Sequence, residues 1–518
     1  MVVEDSIQGY TIGSGLYDQG ATAHIEAVAK EGYEFIRWSD NDSNAVRDIV
    51  IISDSTITAY FSEYLGDDTV YVYGTKDVDE LPVGKNTHVI VTDYARLNIT
   101  RPMTIKSLLI KKDTAFGQVS GVDMLQAQSV EVMHYFDRFI DEGSYRWFAF
   151  SVPFEVSVAN GIFKNETHDV AYYGVDFVID EYDGYLRATT QDGWKRVAAN
   201  ATLYPGRLYM IASKQANTWY FKALNPSTAF IFNAWGFVQF GAYQSTIGDH
   251  HSGWNGIANV LYVNANLQTS NIQYATMYDN YYGTYRVMPL NNYMTQRPSM
   301  PFFVQAARHD TIEFIAKPEG LSIGDIIDPE PGYAPSHQRK AYESKPFVLG
   351  ISNSEYTDMA FVNPAADKED RYTIGEDLVK LQTHNPLVPQ IWVNAYDARL
   401  AAYAMPADKE KSSIALGISA PEEGVYTLSI DDVPQGKTLF ISKDGVHLYP
   451  LSNGEYEIYI EKGVNTNYSI DIYRTPAIYT GVENISATKG SRKMIKDGQL
   501  YILRQDGKLF NANGIEVR

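Results

Sequence analysis

Apolar and polar positions alternate with a period of two through most of this chain, which predicts strands rather than helices. Thr22-Ala23-His24-Ile25-Glu26-Ala27, Tyr33-Glu34-Phe35-Ile36-Arg37-Trp38 and Thr56-Ile57-Thr58-Ala59-Tyr60-Phe61 follow that period in a first unit, residues 1–65. Gly20, Gly32 and the polar run Ser39-Asp40-Asn41-Asp42-Ser43-Asn44 mark its turns. From 66 to 140 the runs shorten to residues 70–73, 88–91, 97–99, 104–110 and 129–132. Few hairpin signals separate them, so the stretch fits a short β-solenoid-like stub, with a sandwich sheet as the other option.

Residues 141–320 hold one pattern written twice. The first copy opens with Trp147-Phe148-Ala149-Phe150-Ser151-Val152-Pro153-Phe154 and closes with Thr218-Trp219-Tyr220-Phe221-Lys222-Ala223. The second opens with Gly253-Trp254-Asn255-Gly256-Ile257-Ala258-Asn259 and closes with Thr311-Ile312-Glu313-Phe314-Ile315-Ala316. Strands are predicted at 147–154, 175–179, 184–188, 208–212, 219–223, 229–233 and 260–263, with turns about every eight to twelve residues, as in a sandwich. Trp147 and Trp254 sit in apolar strands and are core candidates. A Pro/Gly linker at 321–342 (Pro329, Pro331, Pro335, Gly324, Gly332) separates this domain from a jelly-roll-like β-sandwich at 343–475. In the tail, 476–518, Asp506-Gly507 and Asn513-Gly514 are hairpin turns. The fold class is all-β and multi-domain.

Composition narrows the setting. The 39 tyrosines favour half-buried pleated surfaces and the rims of binding faces. A formal charge of −20 repels phosphate backbones and anionic lipid, so nucleic acid is not an expected partner. The absence of cysteine removes disulfides, Cys-zinc sites and thiol nucleophiles together. No apolar run approaches the ~20 residues of a membrane-spanning helix, and Met-Val-Val-Glu-Asp-Ser is not a signal peptide. The chain is therefore read as cytosolic or as an excised piece of an exported protein.

Three stretches favour the second reading. Gly32-Tyr33-x-Phe35-x-x-Trp38-Ser39-Asp40, followed by Ile57-Thr58-Ala59-Tyr60-Phe61, resembles the divergent InlB B-repeat, also called the bacterial surface repeat. That resemblance implies an extracellular or outer-surface home. The openings of the two central copies resemble modules of Bacteroidetes surface proteins, with Val260 standing where the second usually has proline. Thr480-Gly481-Val482-Glu483-Asn484-Ile485, then 496–504 and Lys508-Leu509-Phe510-Asn511-Ala512-Asn513-Gly514-Ile515-Glu516-Val517, resemble the type IX secretion sorting domain, which continues with further strands. This resemblance implies secretion machinery as a partner of the tail.

Candidate chemistry is sparse. Nucleophile elbows, zinc helices, P-loops and dinucleotide loops are absent from the sequence, and Gly13-Ser14-Gly15 reads as a turn. Asp40-x-Asp42-x-Asn44 opens like a calcium loop, but Ala45 and Ile51 stand where an EF-hand needs Gly and Glu. Asp249-His250-His251 lacks a spaced third ligand and reads as an exposed turn before Trp254. Asp180, Glu181 and Asp183, the carboxylates considered for glycoside hydrolysis, fall in what reads as a hairpin turn. No catalytic residue, metal or cofactor is assigned. Tyr278, Tyr281, Tyr282 and Tyr285, set among turn residues, are the ligand-binding candidates, for a glycan or a host surface protein; the alternative is a hairpin whose tyrosines cover a sandwich edge. The expected role is non-catalytic and adhesin-like, with accessory domains of a secreted hydrolase as the alternative.

Overall fold

The computed structural model describes residues 2–3, 8–30, 33–63, 69–112, 116–136, 146–213, 218–268, 272–280, 282–290, 295–317, 346–365, 368, 370–383, 385–406, 411–474, 491–496, 499–504, 509–511 and 516–517. Strands dominate these residues, as the alternation predicts, and one α-helix is present among them. The chain divides into two compact units: Met1–Tyr135 with Trp219–Asn233, and Phe136–Thr218 with Ala234–Arg518.

In the first unit, alternate residues of Thr22–Ala29 supply a small core. Ala23, Ile25 and Ala27 pack with Trp38, Ala59 and Phe61, and the buried Trp38 indole donates to the Asn44 carbonyl at 2.8 Å. Beyond it, Thr69–Val72, His88–Val91, Met103–Lys112 and Leu125–Tyr135 run parallel in one sheet. Their registers stack Val72, Val91, Ile110 and Val132, all buried, as one internal ladder. A second parallel sheet stacks Thr75–Asp77, Arg96–Asn98 and Gln118–Ser120. Here the ladder is polar: Asn98 donates to Asp77 at 2.9 Å and accepts from Ser120 at 2.7 Å. In-register parallel rungs are the geometry of a solenoid, because each rung satisfies its backbone groups on its neighbours.

In the second unit, the doubled pattern becomes a doubled topology. Arg146–Phe150, Tyr209–Ser213, Phe177–Tyr182 and Trp194–Arg196 form one four-stranded antiparallel sheet in that order. Trp254–Ala258, Pro301–Gln305, Tyr274–Asp279 and Thr284–Pro289 repeat the arrangement. Trp254 is fully buried as expected, whereas Trp147 is half-buried, with the Arg196 guanidinium 5.6 Å from its ring centre. Residues 184–188 are not a strand. Asp183 accepts from the Tyr185 and Leu186 amides and so caps the helix Gly184–Thr190. Residues 229–233 and 260–263 are irregular as well. The strand there is Trp235–Phe240, and buried Asn259 holds the turn by donating to the Val263 and Gln296 carbonyls.

Residues 347–474 form one continuous eleven-stranded sheet curled on itself, the shape taken by the jelly-roll-like block. The strands at the two ends of its order, Val446–Leu451 and Gly454–Ile460, are joined by only Ser452 and Asn453, and Tyr449 stacks on Tyr456 at 5.2 Å. Its buried face shares a core with Leu208, Trp254 and Phe303 of the doubled region. In the tail, Ser491–Lys496, Gln499–Arg504, Leu509–Asn511 and Glu516–Val517 make an antiparallel sheet. The predicted linker, Asp506-Gly507, Asn513-Gly514 and residues 480–485 lie outside the described residues.

Asn98→Ala removes both hydrogen bonds of the polar ladder. It is expected to lower stability by about 1–2 kcal/mol in urea unfolding; an unchanged midpoint would show that the ladder contributes nothing.

Candidate ligand-binding face

The tyrosine hairpin is built into the second unit rather than laid open on it. Tyr278 and Tyr285 are cross-strand partners with ring centres 5.1 Å apart, and Tyr285 continues onto Phe303 at 5.9 Å. Burial pushes the Tyr285 hydroxyl well above its ordinary pKa. Tyr282 packs edge-on against Tyr356 at 5.4 Å with Arg286 over its ring. Its carbonyl accepts from Asn385 at 2.5 Å, and the Gly283 carbonyl accepts from Thr383 at 2.6 Å. Asn280 bonds both backbone groups of Ala149, donating to the carbonyl at 2.8 Å and accepting from the amide at 2.6 Å. These side chains join the hairpin to the first copy and to the curled sheet. Tyr281 lies outside the described residues.

The acidic candidates each have a structural partner. Asp180 pairs with Arg196 and Glu181 with Arg207, both carboxylates standing within the strand Phe177–Tyr182 rather than in a turn; Asp183 is the helix cap. In the calcium-like turn Arg47 occupies the centre, donating to Asp42 at 2.8 Å and to Asp40 at 2.6 Å. The Arg47 hydrogen bond holds the Asp40 carboxyl below its usual range, and the Asn44 amide followed by Arg47 does so for Asp42. Two further carboxylates are buried with lysines, Asp377 with Lys368 at 2.7 Å and Asp358 with Lys380.

His250 and His251 lie in the 3-10 turn Asp249–His251, with ring centres 4.2 Å apart. His251 is buried rather than exposed, because the turn folds down over the second copy: the Trp254 indole and the Gln305 amide both donate to the His250 carbonyl, at 3.0 and 3.2 Å. Burial first, then the charges of Arg187 and His250, push the His251 pKa down to about 4. Among the described residues no three His, Cys, Asp or Glu side chains converge as metal ligands would.

The open face lies elsewhere, on the second sheet of the second copy. Its order is Trp235–Phe240, Asp310–Ala316, Ala265–Gln268, Thr295–Gln296, all antiparallel. Inward positions Phe240, Ile312, Phe314, Ala265 and Leu267 are buried. Outward, the registers set Trp235 beside Ile315 with Asn266 one strand further, Phe237 beside Glu313 with Gln268 one strand further, and Gln239 beside Thr311. Trp235 is 48 % exposed and Phe237 38 %; of the seven tryptophans, Trp235 is the one that stands out from the surface. Their ring centres are 5.3 Å apart and their planes cross at 43°. Two neighbouring aromatic planes rimmed by amides, a hydroxyl and one carboxylate can stack on a ligand and hydrogen-bond its edges. The sequence reading missed this face by placing the strand at 229–233. The available signal was the alternation Trp235-Gly236-Phe237-Val238-Gln239-Phe240, which sets two aromatics and a glutamine on one side.

The all-β architecture defines the fold class. Residues 2–64 match the divergent InlB B-repeat domain family, so the chain carries a bacterial surface-repeat domain. No curated protein and no solved structure matches it. Among the described residues no helix is long and apolar enough to cross a membrane.

The His251 pKa gives a pH signature. With a folded value near 4 against an ordinary 6.5, its neutral form is what the fold accepts. The resulting stability is complete above about 6.5 and is lost as pH falls towards 4. The urea midpoint should therefore drop between pH 7 and pH 5 by more in the native chain than in His251→Gln, and equal drops would refute this.

Proposed function

We propose that this chain is a non-catalytic, adhesin-like portion of a bacterial surface protein that binds an extracellular ligand on the Trp235 face. The observation that carries the reading is the half-exposed Trp235–Phe237 pair on a sheet surface that is polar apart from Ile315. Exposing such rings sacrifices burial worth on the order of 1.5–3 kcal/mol per large apolar side chain, which a soluble sheet recovers by leaving polar residues outside. The engagement of Asp180, Glu181 and Asp183 in ion pairs and a helix cap supports a binding role over hydrolysis. In the same reading the chain is exported by a type IX pathway of Bacteroidetes. Support comes from the residue pattern of the tail and from the antiparallel sheet of its described strands.

The test is adhesion of the labelled chain to host epithelial cells. Trp235→Ala combined with Phe237→Ala should cut binding at least about tenfold with an unchanged urea midpoint, since both side chains are exposed. Full binding by that double variant would remove the face from consideration.

A further inference from the structure

We infer that the Trp235 face takes a neutral glycan with a turning backbone. This rests on the binding reading above and names the ligand class of the same face.

Four features of the face converge. First, the two rings offer flat apolar surfaces one behind the other along the strand Trp235–Phe240, with centres 5.3 Å apart. The C–H faces of sugar rings stack on such planes, and successive sugars of a chain need successive planes. Second, the groups beside the rings are chosen for hydroxyls. Gln239 and Gln268 carry both a donor and an acceptor, as every sugar hydroxyl does, while the Glu313 carboxylate only accepts. A protein partner is better met by Arg and apolar side chains around the anchor, whereas the strand beside Trp235 and Phe237 sets Ile315, Glu313 and Thr311 opposite that row. Third, the charge selects against polyanions. Among the paired outward positions of Trp235–Phe240, Asp310–Ala316 and Ala265–Gln268 there is no lysine or arginine, Glu313 sits beside Phe237, and the whole chain carries −20. Sulfated or uronic polysaccharides would be repelled, and neutral ones would not.

The fourth feature concerns shape. Planes crossing at 43° cannot both lie flat on a straight ribbon-like glycan. A chain whose sugars rotate from one residue to the next presents its faces in turn to both rings. Both aromatics belong to the edge strand of their sheet, so the ligand can pass over the rim without meeting a neighbouring strand.

The experiment uses the full chain with amylose-type oligosaccharides, which turn, cellulose-type oligosaccharides, which run straight, and heparin as the polyanion. Binding is read by titration calorimetry and by acrylamide quenching of tryptophan emission, in which Trp235 is the most accessible indole. The amylose-type probe is expected to bind, to protect emission from quenching, and to bind at least about tenfold more weakly to Trp235→Ala. Glu313→Gln should weaken it severalfold without altering the stacking signal. Heparin binding, tighter binding of the straight probe, or failure of both neutral probes to bind would overturn the inference. Cell adhesion that depends on Trp235, survives glycosidase treatment of the cells and is lost on protease treatment would overturn the glycan while leaving the binding role standing. Adhesion indifferent to Trp235 would overturn both.

Discussion

Close approach of the two copies, made possible by missing side chains, fixes the geometry of the second unit. A Cβ on Gly256 would stand 2.7 Å from that of Leu208, and one on Gly184 would stand 2.0 Å from the Trp254 carbonyl oxygen. With glycine at both positions the backbones come near enough for Arg207 and Ile257 to form a β-bridge. Tyr182, Trp194 and Phe303 then pack edge to face across the seam, with centres 4.8 to 6.0 Å apart. Such pairs contribute beyond their area burial and fix orientation as well as distance. The tyrosine hairpin extends the same column through Tyr285. Once one sheet of the second copy is committed to this seam, its other sheet is the one left to present Trp235.

The parts of this architecture that a single strand can specify were legible in the chain. Alternation fixed which residues of Thr22–Ala29 face inward, and short runs without hairpin signals pointed to parallel rungs. The Trp-led segments at 147 and 254 open two four-stranded sheets of the same strand order. Features decided by which hydrogen-bond or packing partner a side chain meets were not legible. Asp183 became a helix cap because its carboxylate found two free amides, a local event that overrides the β-propensity of the flanking residues. Tyr278, Tyr281, Tyr282 and Tyr285 read as a polar, aromatic rim, but the packing of Tyr282 and Tyr285 is decided by Tyr356 and Phe303, which no local pattern places beside them. For the opposite reason Trp235 was overlooked: an edge strand packed on one side only can carry aromatics outward.

The charge of this protein is distributed in two ways. Much of the acidic excess faces water. Carboxylates that turn inward are fixed by lysine and backbone amides, as in the Asp377–Lys368 pair, while those of the exposed 40–44 turn are held by Arg47. Ordering of this sort stiffens the loops between strands.

The curled sheet of residues 347–474 has one more consequence. Its first and last strands in spatial order are successive in the chain and linked by two residues, so the sheet's own edges are drawn together at that hairpin. Open edges are templates on which foreign strands add. Here both edges belong to one hairpin, so a change at Ser452 or Asn453 acts on the two at once.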